Sequence, residues 1–295
     1  MIDYLIFLLY KSFKFIVLLL PKFLVKFFLD LTANLIYLIN IEHKRYAKIN
    51  LDFVYGDKIS QEEKQSIIKN SYKNLVYNLY EFVENQTLDL EGFEKKLTVE
   101  NEQYILDAIK NKRKIILITA HYGNWEYGNT FIPLKYLPTT MVGRPMNNKY
   151  LNKELDETRT RNHNQMLTKR EAGRGLVKAL KDDRILGFVI DQHNGDGIDV
   201  EFLGHKVMQA DVASRLAIKF DALIIPLFFT MDQFGKYRAK FYEPIDHQNF
   251  DDQDKILNLT QEQADIMGKH ILLKPDQWFW QHKRFKEYNK DIYNK

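Results

Sequence analysis

Cysteine is absent from this chain of 295 residues, which excludes disulfide bonds, thiolate metal sites and a cysteine nucleophile. Basic residues number 43 and acidic residues 39, so the formal net charge of +4 is too small to indicate a nucleic-acid partner. The chain has only 7 prolines and 13 glycines, and no linker rich in them or in serine divides it. P-loop, dinucleotide-binding and zinc-protease motifs are missing, as are internal repeats. The sequence therefore predicts no cofactor and no metal site.

A long uninterrupted apolar run is also missing near the N-terminus, although Leu, Ile, Phe and Val dominate residues 2–41. Among the first thirty residues no charge-free stretch is longer than the one between Lys14 and Lys22. That stretch is far short of the roughly 20 apolar residues that a simple membrane-spanning helix needs. A secretory signal peptide fits poorly as well, because no compact apolar core ends in a small-residue cleavage site.

Helical spacing gathers the N-terminal charges on one side. At about 100° per residue, four lysines fall within an arc of roughly 120°, namely Lys11, Lys14, Lys22 and Lys26. The remaining face is apolar and carries Leu5, Leu9, Phe13, Ile16, Leu20, Phe27 and Leu31. A basic amphipathic helix of this kind is typical of the membrane interface, where it is attracted to anionic headgroups. A tilted span with snorkelling lysines and an ordinary packed helix are the alternatives. We expect residues 1–41 to form a membrane-anchoring helix, with a kink possible at Pro21, and residues 42–295 to form one domain.

The rest of the chain changes character near residue 114. Residues 43–110 have helical spacing, and Ser60 with Glu63 three positions later predicts a capping box at the start of a helix over 61–84. Beyond them, short apolar runs predict strands at 114–120, 138–143, 185–190, 222–229 and 237–242. A helix is predicted at 209–220, and the tail from 251 returns to helix. Strands that alternate with helices indicate an α/β fold with a mixed sheet flanked by helices.

A histidine follows the first of these strands. His121 lies just beyond the apolar run Ile115–Ile118, and Glu126 comes five positions later. In open α/β sheets chemistry collects outside the carboxyl ends of the strands. A histidine can accept a proton near neutral pH, and a nearby carboxylate can fix its tautomer. A lone histidine beside a strand is, however, more often a hydrogen-bonded structural residue than a catalyst.

Two further groups of polar residues follow strand ends. Arg144 comes after the strand at 138–143, in a segment that holds more basic than acidic residues, including Arg159, Arg161 and Arg174. Arginines suit bidentate binding of phosphate or carboxylate groups, although a solvated helix face explains such a cluster equally well. Asp191 ends the strand at 185–190 and is expected either to hold a substrate hydroxyl, to pair with an arginine or to cap a loop.

Together these segments resemble the late acyltransferases of lipid A biosynthesis, the lauroyl and myristoyl transferase family within the wider lysophospholipid acyltransferase group. The resemblance covers most of the chain and includes His121 with Glu126 as a His-x4-acid motif. It also includes the Arg-Pro-x-x-Asn block at 144–148, the Asp-Gln block at 191–192, the segment 201–204 and a narrow C-terminal signature at 275–286. One departure is that the Asp-Gln block continues here into His193-Asn194-Gly195.

The resemblance implies an enzyme, and a mechanism that agrees with the chemistry of the residues. His121 would act as general base on a lipid hydroxyl, oriented by Glu126, without a covalent acyl-enzyme. Arg144, with Arg159, Arg161 or Arg174, would hold phosphate groups, and Asp191 would support the acceptor. The implied donor is acyl-carrier protein and the implied acceptor a Kdo-bearing lipid A precursor, on an anionic membrane surface at the cytoplasmic face of the inner membrane. A different glycolipid or lysophospholipid acceptor, or an inactive lipid-binding homologue, is the alternative.

Overall fold

The computed structural model describes residues 2–294, which form eleven α-helices and nine β-strands. The helices are α1 (Ile2–Leu19), α2 (Lys22–Ile39), α3 (Ile41–Tyr55), α4 (Gln61–Glu84), α5 (Leu90–Glu94), α6 (Gln103–Lys110), α7 (Tyr127–Lys135), α8 (Lys149–Arg159), α9 (Ala172–Lys181), α10 (Val212–Phe220) and α11 (Lys255–Leu273). The strands are β1 (Leu97–Glu100), β2 (Lys114–Thr119), β3 (Thr139–Val142), β4 (Gln165–Leu167), β5 (Ile185–Val189), β6 (Ile198–Phe202), β7 (His205–Gln209), β8 (Ala222–Gln233) and β9 (Lys236–Phe241).

Seven of the strands form one mostly parallel sheet in the order β1-β9-β8-β2-β5-β3-β4, with β8 and β9 antiparallel. The central strands are apolar throughout because both faces of the sheet are covered. In β2, Ile116 and Ile118 belong to one buried core cluster, whereas Ile115 and Leu117 belong to another. This arrangement confirms the predicted α/β fold with a mixed sheet flanked by helices.

The five predicted strands and the helix before β8 are confirmed, with shifts at their ends of one to four residues. The capping box is confirmed as well: Ser60 Oγ accepts a hydrogen bond from Glu63 N (3.1 Å), and Glu63 Oε2 accepts one from Ser60 N (2.7 Å). The strands β1 and β4 were not predicted, because runs of four and three residues are too short to show a pattern. The β6–β7 hairpin, in which Leu203 and Gly204 both have positive φ, as the favoured two-residue hairpin turn requires, was not predicted either.

The N-terminal segment forms two helices rather than one, because α1 ends at Leu19 and α2 begins only at Lys22, after Pro21. Helix α2 packs on α4 through Val25, Leu29 and Ala33, whereas the only buried residue of α1 is Val17. Within residues 2–294 no single helix is long and apolar enough to cross a membrane. The pair α2 and α3, bent by 85°, meets the criteria of length and composition together.

The predicted apolar face exists and is exposed: of its seven residues, only Leu20 is half-buried. The lysines, however, contact protein rather than projecting as a free basic face. Lys11 and Lys14 pair with Glu154 on α8, and Lys22 pairs with Glu84 on α4 at 2.9 Å. Lys26 pairs with Asp30 of its own helix at 2.7 Å. Each of the four lysines therefore already has a carboxylate partner within the protein, and binding of these lysines to lipid headgroups stays a prediction.

Candidate active site

The register of two neighbouring strands brings His121 and Asp191 together. Strands β2 and β5 are parallel with Thr119 opposite Val189, so the residues two positions beyond each strand end are also neighbours. His121 Nδ1 lies 2.7 Å from Asp191 Oδ1, and the backbone N–H of His121 donates to Asp191 Oδ2 at 3.0 Å. The sheet edge therefore holds a histidine and a carboxylate in direct contact, as at the sites of other open α/β proteins.

Asp191 is almost completely buried and accepts a further hydrogen bond, from Trp278 Nε1 at 2.8 Å. Burial alone raises the pKa of the Asp191 carboxyl. The charge and hydrogen bonds of His121, with the Trp278 donor, outweigh burial, so the pKa lies below its ordinary value. The carboxylate is consequently ionised near neutral pH.

An ionised Asp191 fixes the tautomer of His121, because Nδ1 must carry the proton that it donates to Oδ1. Among residues 2–294 no hydrogen-bond partner reaches Nε2, which is left as the basic nitrogen of the ring. The His121 side chain is 24% exposed, with the ring centroid of Trp125 at 5.0 Å. Burial lowers the pKa of His121, but the Asp191 charge and hydrogen bond raise it by more, so the pKa lies above its ordinary value.

The C-terminal signature folds back onto the same strand end. Phe279 N donates to the carbonyl of His121 at 3.0 Å, and Gly123 N donates to the carbonyl of Gln277 at 3.0 Å. The Gln277 side-chain amide in turn bonds both backbone groups of Met231, at 2.8 and 2.7 Å. The specific sequence of this segment thus has a structural reason: it forms one wall of the site.

Arg284, in the same signature, supports the loop after Asp191. Its guanidinium is buried and donates to the carbonyls of Gln192 (3.0 Å) and Met208 (2.8 Å) and to Gln209 Oε1 (3.0 Å). Burial lowers the pKa of Arg284 to about 10, a value at which it is still cationic at neutral pH. This fully buried cation joins the loop after β5 to strand β7 of the β6–β7 hairpin.

The turn after His121 is held from several sides. Gly123 has φ +53°, and a Cβ at this position would lie 1.7 Å from the carbonyl oxygen of Phe229, so only glycine fits. Two amides of α4, Asn74 Nδ2 (3.0 Å) and Asn78 Nδ2 (2.6 Å), donate to the Gly123 carbonyl. Sequence analysis missed both asparagines, since no local motif connects α4 with a turn some 45 residues later.

Glu126 does not contact His121, contrary to the expectation that it orients the imidazole. Its carboxylate forms a bidentate pair with Arg159, with Nε at 3.2 Å from Oε2, and accepts a bond from Asn129 Nδ2 at 2.9 Å. Asp191 occupies Nδ1 instead. The Glu126 charge still acts on His121 over a longer range, since it helps to raise the pKa of the ring while Arg159 opposes it.

The four predicted arginines separate in the structure. Arg144 and Arg159 line a groove of about 600 Å³ together with Glu126. Arg161 lies in a short 3₁₀ turn and Arg174 on α9, both exposed, and neither lines this groove. The expected arginine cluster is therefore reduced to two residues at the site, one of which is already paired with Glu126.

The groove beside the site is largely apolar. Its walls come from α1, α4, α8 and the turn before α7, and its apolar lining consists of Tyr10, Leu75, Leu79, Phe82, Trp125, Met146, Leu151 and Leu155. A second cavity of about 280 Å³ shares Arg144, Leu155 and Arg159 with it and has a more polar lining, including Asp156 and Thr168. The two cavities are therefore neighbours that share these three side chains, one cavity mainly apolar and the other more polar.

One cluster of potential metal ligands occurs in residues 2–294, at Asp221, Asp246 and His247. It lies by the start of β8, at the sheet edge opposite His121. Arg113 donates to both carboxylates, so a cation of the protein already offsets part of the negative charge of this cluster.

The family described as bacterial lipid A biosynthesis acyltransferase matches residues 1–287. The chain is 25% identical to the lipid A biosynthesis lauroyltransferase of Escherichia coli K12 over 82% of this chain and 80% of that protein. It is 23% identical to a lipid A biosynthesis acyltransferase of Haemophilus influenzae, over 81% of this chain and 76% of that protein. It is 24% identical to the lipid A biosynthesis palmitoleoyltransferase of Escherichia coli K12, over 81% of this chain and 78% of that protein.

Among solved structures, a 1-acyl-sn-glycerophosphate acyltransferase, PlsC from Thermotoga maritima, covers 85% of this chain and 99% of its own, with 14% identity. The TM-score of this match is 0.40. The family match spans nearly the whole chain and includes His121, Asp191 and the C-terminal signature. The chain belongs to the bacterial lipid A biosynthesis acyltransferases and is an acyltransferase of that pathway.

Proposed function

We propose that the enzyme transfers a fatty acyl chain from acyl-carrier protein to a hydroxyl of a Kdo-bearing lipid A precursor, with His121 as general base. The observation that carries this proposal is the contact of His121 Nδ1 with the buried Asp191 carboxylate, which leaves Nε2 free and basic. A histidine held in this way can accept a hydroxyl proton at neutral pH.

The reaction then proceeds by addition to the thioester and elimination of the thiol. His121 Nε2 removes the proton of the acceptor hydroxyl as its oxygen attacks the thioester carbonyl, and Asp191 stabilises the imidazolium that forms. Collapse of the tetrahedral intermediate breaks the C–S bond, and the imidazolium returns its proton to the leaving thiolate. The products are an ester and a free thiol, and no acyl group is bound to the protein.

The groove supports an acyl substrate with a phosphate group. Its apolar part, between α4 and α8, suits a fatty acyl chain, because apolar surface leaves water when the chain binds. Arg144 is exposed at the junction with the polar cavity and is the arginine there that Glu126 does not bind. We assign phosphate binding to Arg144. Arg159 acts together with Glu126. We assign the exposed Arg161 and Arg174 to a surface that binds the acidic acyl-carrier protein.

Membrane association would bring the acceptor to this groove. Helices α1 and α2 expose many large apolar side chains, among them Leu5, Leu9, Leu19 and Phe23, and contiguous apolar surface of this kind marks interaction sites. Tyr10 of α1 also lines the groove, so the proposed membrane surface and the proposed substrate site adjoin. We propose that the protein binds the cytoplasmic face of the inner membrane through residues 1–41 and takes its lipid from that leaflet.

Mass spectrometry of the purified protein, incubated with acyl-carrier-protein donors and a Kdo-modified lipid A precursor, tests this function. We expect one acyl mass to be added by the wild-type protein and none by His121→Ala. Transfer to a lysophospholipid in a parallel reaction, without transfer to the precursor, would overturn the acceptor. Full activity of His121→Ala would overturn the catalytic role of the histidine.

A further inference from the structure

The carboxylate that contacts His121 has a donor from the far end of the chain. Trp278 Nε1 donates to Asp191 Oδ2 at 2.8 Å, and both residues are buried. We propose that Trp278 is a positioning residue for the catalytic pair, whose indole N–H holds the Asp191 carboxylate in the orientation that the histidine requires. This inference rests on the proposed role of His121 and deepens it.

The geometry at Asp191 explains why a third donor matters. Oδ2 accepts from the backbone N–H of His121 at 3.0 Å and from the indole of Trp278, which leaves Oδ1 to face His121 Nδ1. A carboxylate rotates about a single bond and is bound on both oxygens only if donors fix its plane. Hydrogen bonds to an ionised acceptor are stronger than neutral ones, and a buried carboxylate that loses one is left partly unsatisfied.

The indole is itself held rigidly, as such a role requires. Trp278 forms an antiparallel bridge with Tyr122, directly beside the histidine. Its ring packs edge-on against Phe202 (5.7 Å between centroids) and Trp280 (4.6 Å). The N–H vector therefore cannot turn away from Asp191 without disturbing three neighbouring elements. The strand end, the β6–β7 hairpin and the C-terminal signature all fix one hydrogen bond.

The same segment offers a matched control. Trp280 is also buried, and its Nε1 donates at 2.7 Å, but to the carbonyl of Pro275. Trp278→Phe and Trp280→Phe each remove one indole N–H and leave an aromatic ring. Their effects on packing and stability should be similar, so a difference between them in catalysis reports the bond to Asp191.

The first test compares the kinetics of the two full-length variants with acyl-carrier-protein donor and lipid A precursor. We expect Trp278→Phe to lower kcat by about 10- to 100-fold, which is what a charge-assisted hydrogen bond provides. KM for both substrates should stay unchanged, and Trp280→Phe should lose at most a few-fold. Equal losses of kcat in the two variants would overturn the proposal, because Trp278 would then be only structural.

A second test needs no turnover. The chain has three tryptophans, so ¹⁵N-indole labelling gives three signals, each assigned by loss in its Phe variant. We expect the Trp278 N–H signal to shift with pH as the His121 ring titrates and to stop shifting in His121→Ala, whereas the Trp280 signal stays constant. A Trp278 chemical shift that does not change with pH would overturn the inference. If the wild-type protein transfers no acyl group, the proposed function fails, and this titration alone decides whether Trp278 reports on the pair.

Discussion

At the scale of single residues, the decisive question is which carboxylate serves His121. Sequence proximity favoured Glu126, five positions away, but the structure joins His121 to Asp191, 70 positions away, and joins Glu126 to Arg159. Nothing local in the sequence could show this, because the register between β2 and β5 decides it. The strand ends themselves were predictable, since both apolar runs are followed within three residues by a side chain that can bind or transfer a proton, His121 or Asp191.

We therefore predict that Asp191→Asn reduces kcat far more than Glu126→Ala does. The Asn variant cannot fix the Nδ1–H tautomer, and the corresponding change in a serine-protease triad costs about 10⁴-fold. Glu126→Ala leaves Asp191 on the ring and removes only a longer-range charge. Steady-state kinetics of the two variants, with circular dichroism to confirm folding, checks the order. Equal losses would give Glu126 a direct part in catalysis.

The pH dependence provides a second readout of the same pair. Activity requires neutral His121, so it rises as pH increases through a pKa that Asp191 holds above the ordinary histidine value. Removal of the carboxylate charge lowers that pKa. The acid limb of kcat should consequently move to lower pH in Asp191→Asn, although the rate itself is smaller. An acid limb that stays in place would assign it to another group.

At the scale of elements, helix α4 does more than cover the sheet. Its predicted N-terminus and length were correct, because the capping box and apolar spacing are local signals. Its contact with the turn after His121 was not predictable. Asn74 and Asn78 of α4 donate hydrogen bonds to the carbonyl of Gly123 in that turn. The ion pairs of the N-terminal lysines with α4 and α8 were not predictable for the same reason, because tertiary contacts decide these partners. The β6–β7 hairpin was not predicted either.

We expect Asn78→Ala to destabilise the turn after β2 and to lower activity. The Gly123 carbonyl is buried, and loss of its shortest bond costs roughly 1–3 kcal/mol, visible as a lower midpoint of thermal unfolding. Gln65→Ala, an exposed amide on the same helix, is the control and should change neither property. If Asn78→Ala matches this control, the remaining Asn74 bond is sufficient.

At the scale of the whole molecule, the N-terminal helices divide charge and apolar surface in a way that the sequence alone suggested only in part. The apolar face was correctly predicted, but the lysines of α1 and α2 are bound by Glu154, Glu84 and Asp30. Attraction to the membrane should therefore depend on apolar burial more than on charge.

We predict that binding to lipid vesicles changes little with salt or with the fraction of anionic lipid. Replacement of the exposed Leu19, Phe23 and Phe27 by serine should release the protein from vesicles, with an unchanged unfolding midpoint because these side chains are outside the core. Leu273→Ser, an apolar residue 73% exposed on α11, is the matched control. Sedimentation with vesicles measures both. Release by salt alone would mean that basic groups elsewhere hold the protein.

The return of the C-terminal segment to the strand that bears His121 also orders events in time. The first helices emerge from the ribosome early and can meet the lipid bilayer while translation continues. The hydrogen bonds that Trp278 donates to Asp191 and that Arg284 donates to the Gln192 carbonyl form only after these two residues have been translated and released. We therefore expect full activity only after the C-terminal segment has left the ribosome, and reduced activity in a chain that a premature stop codon ends before Trp278.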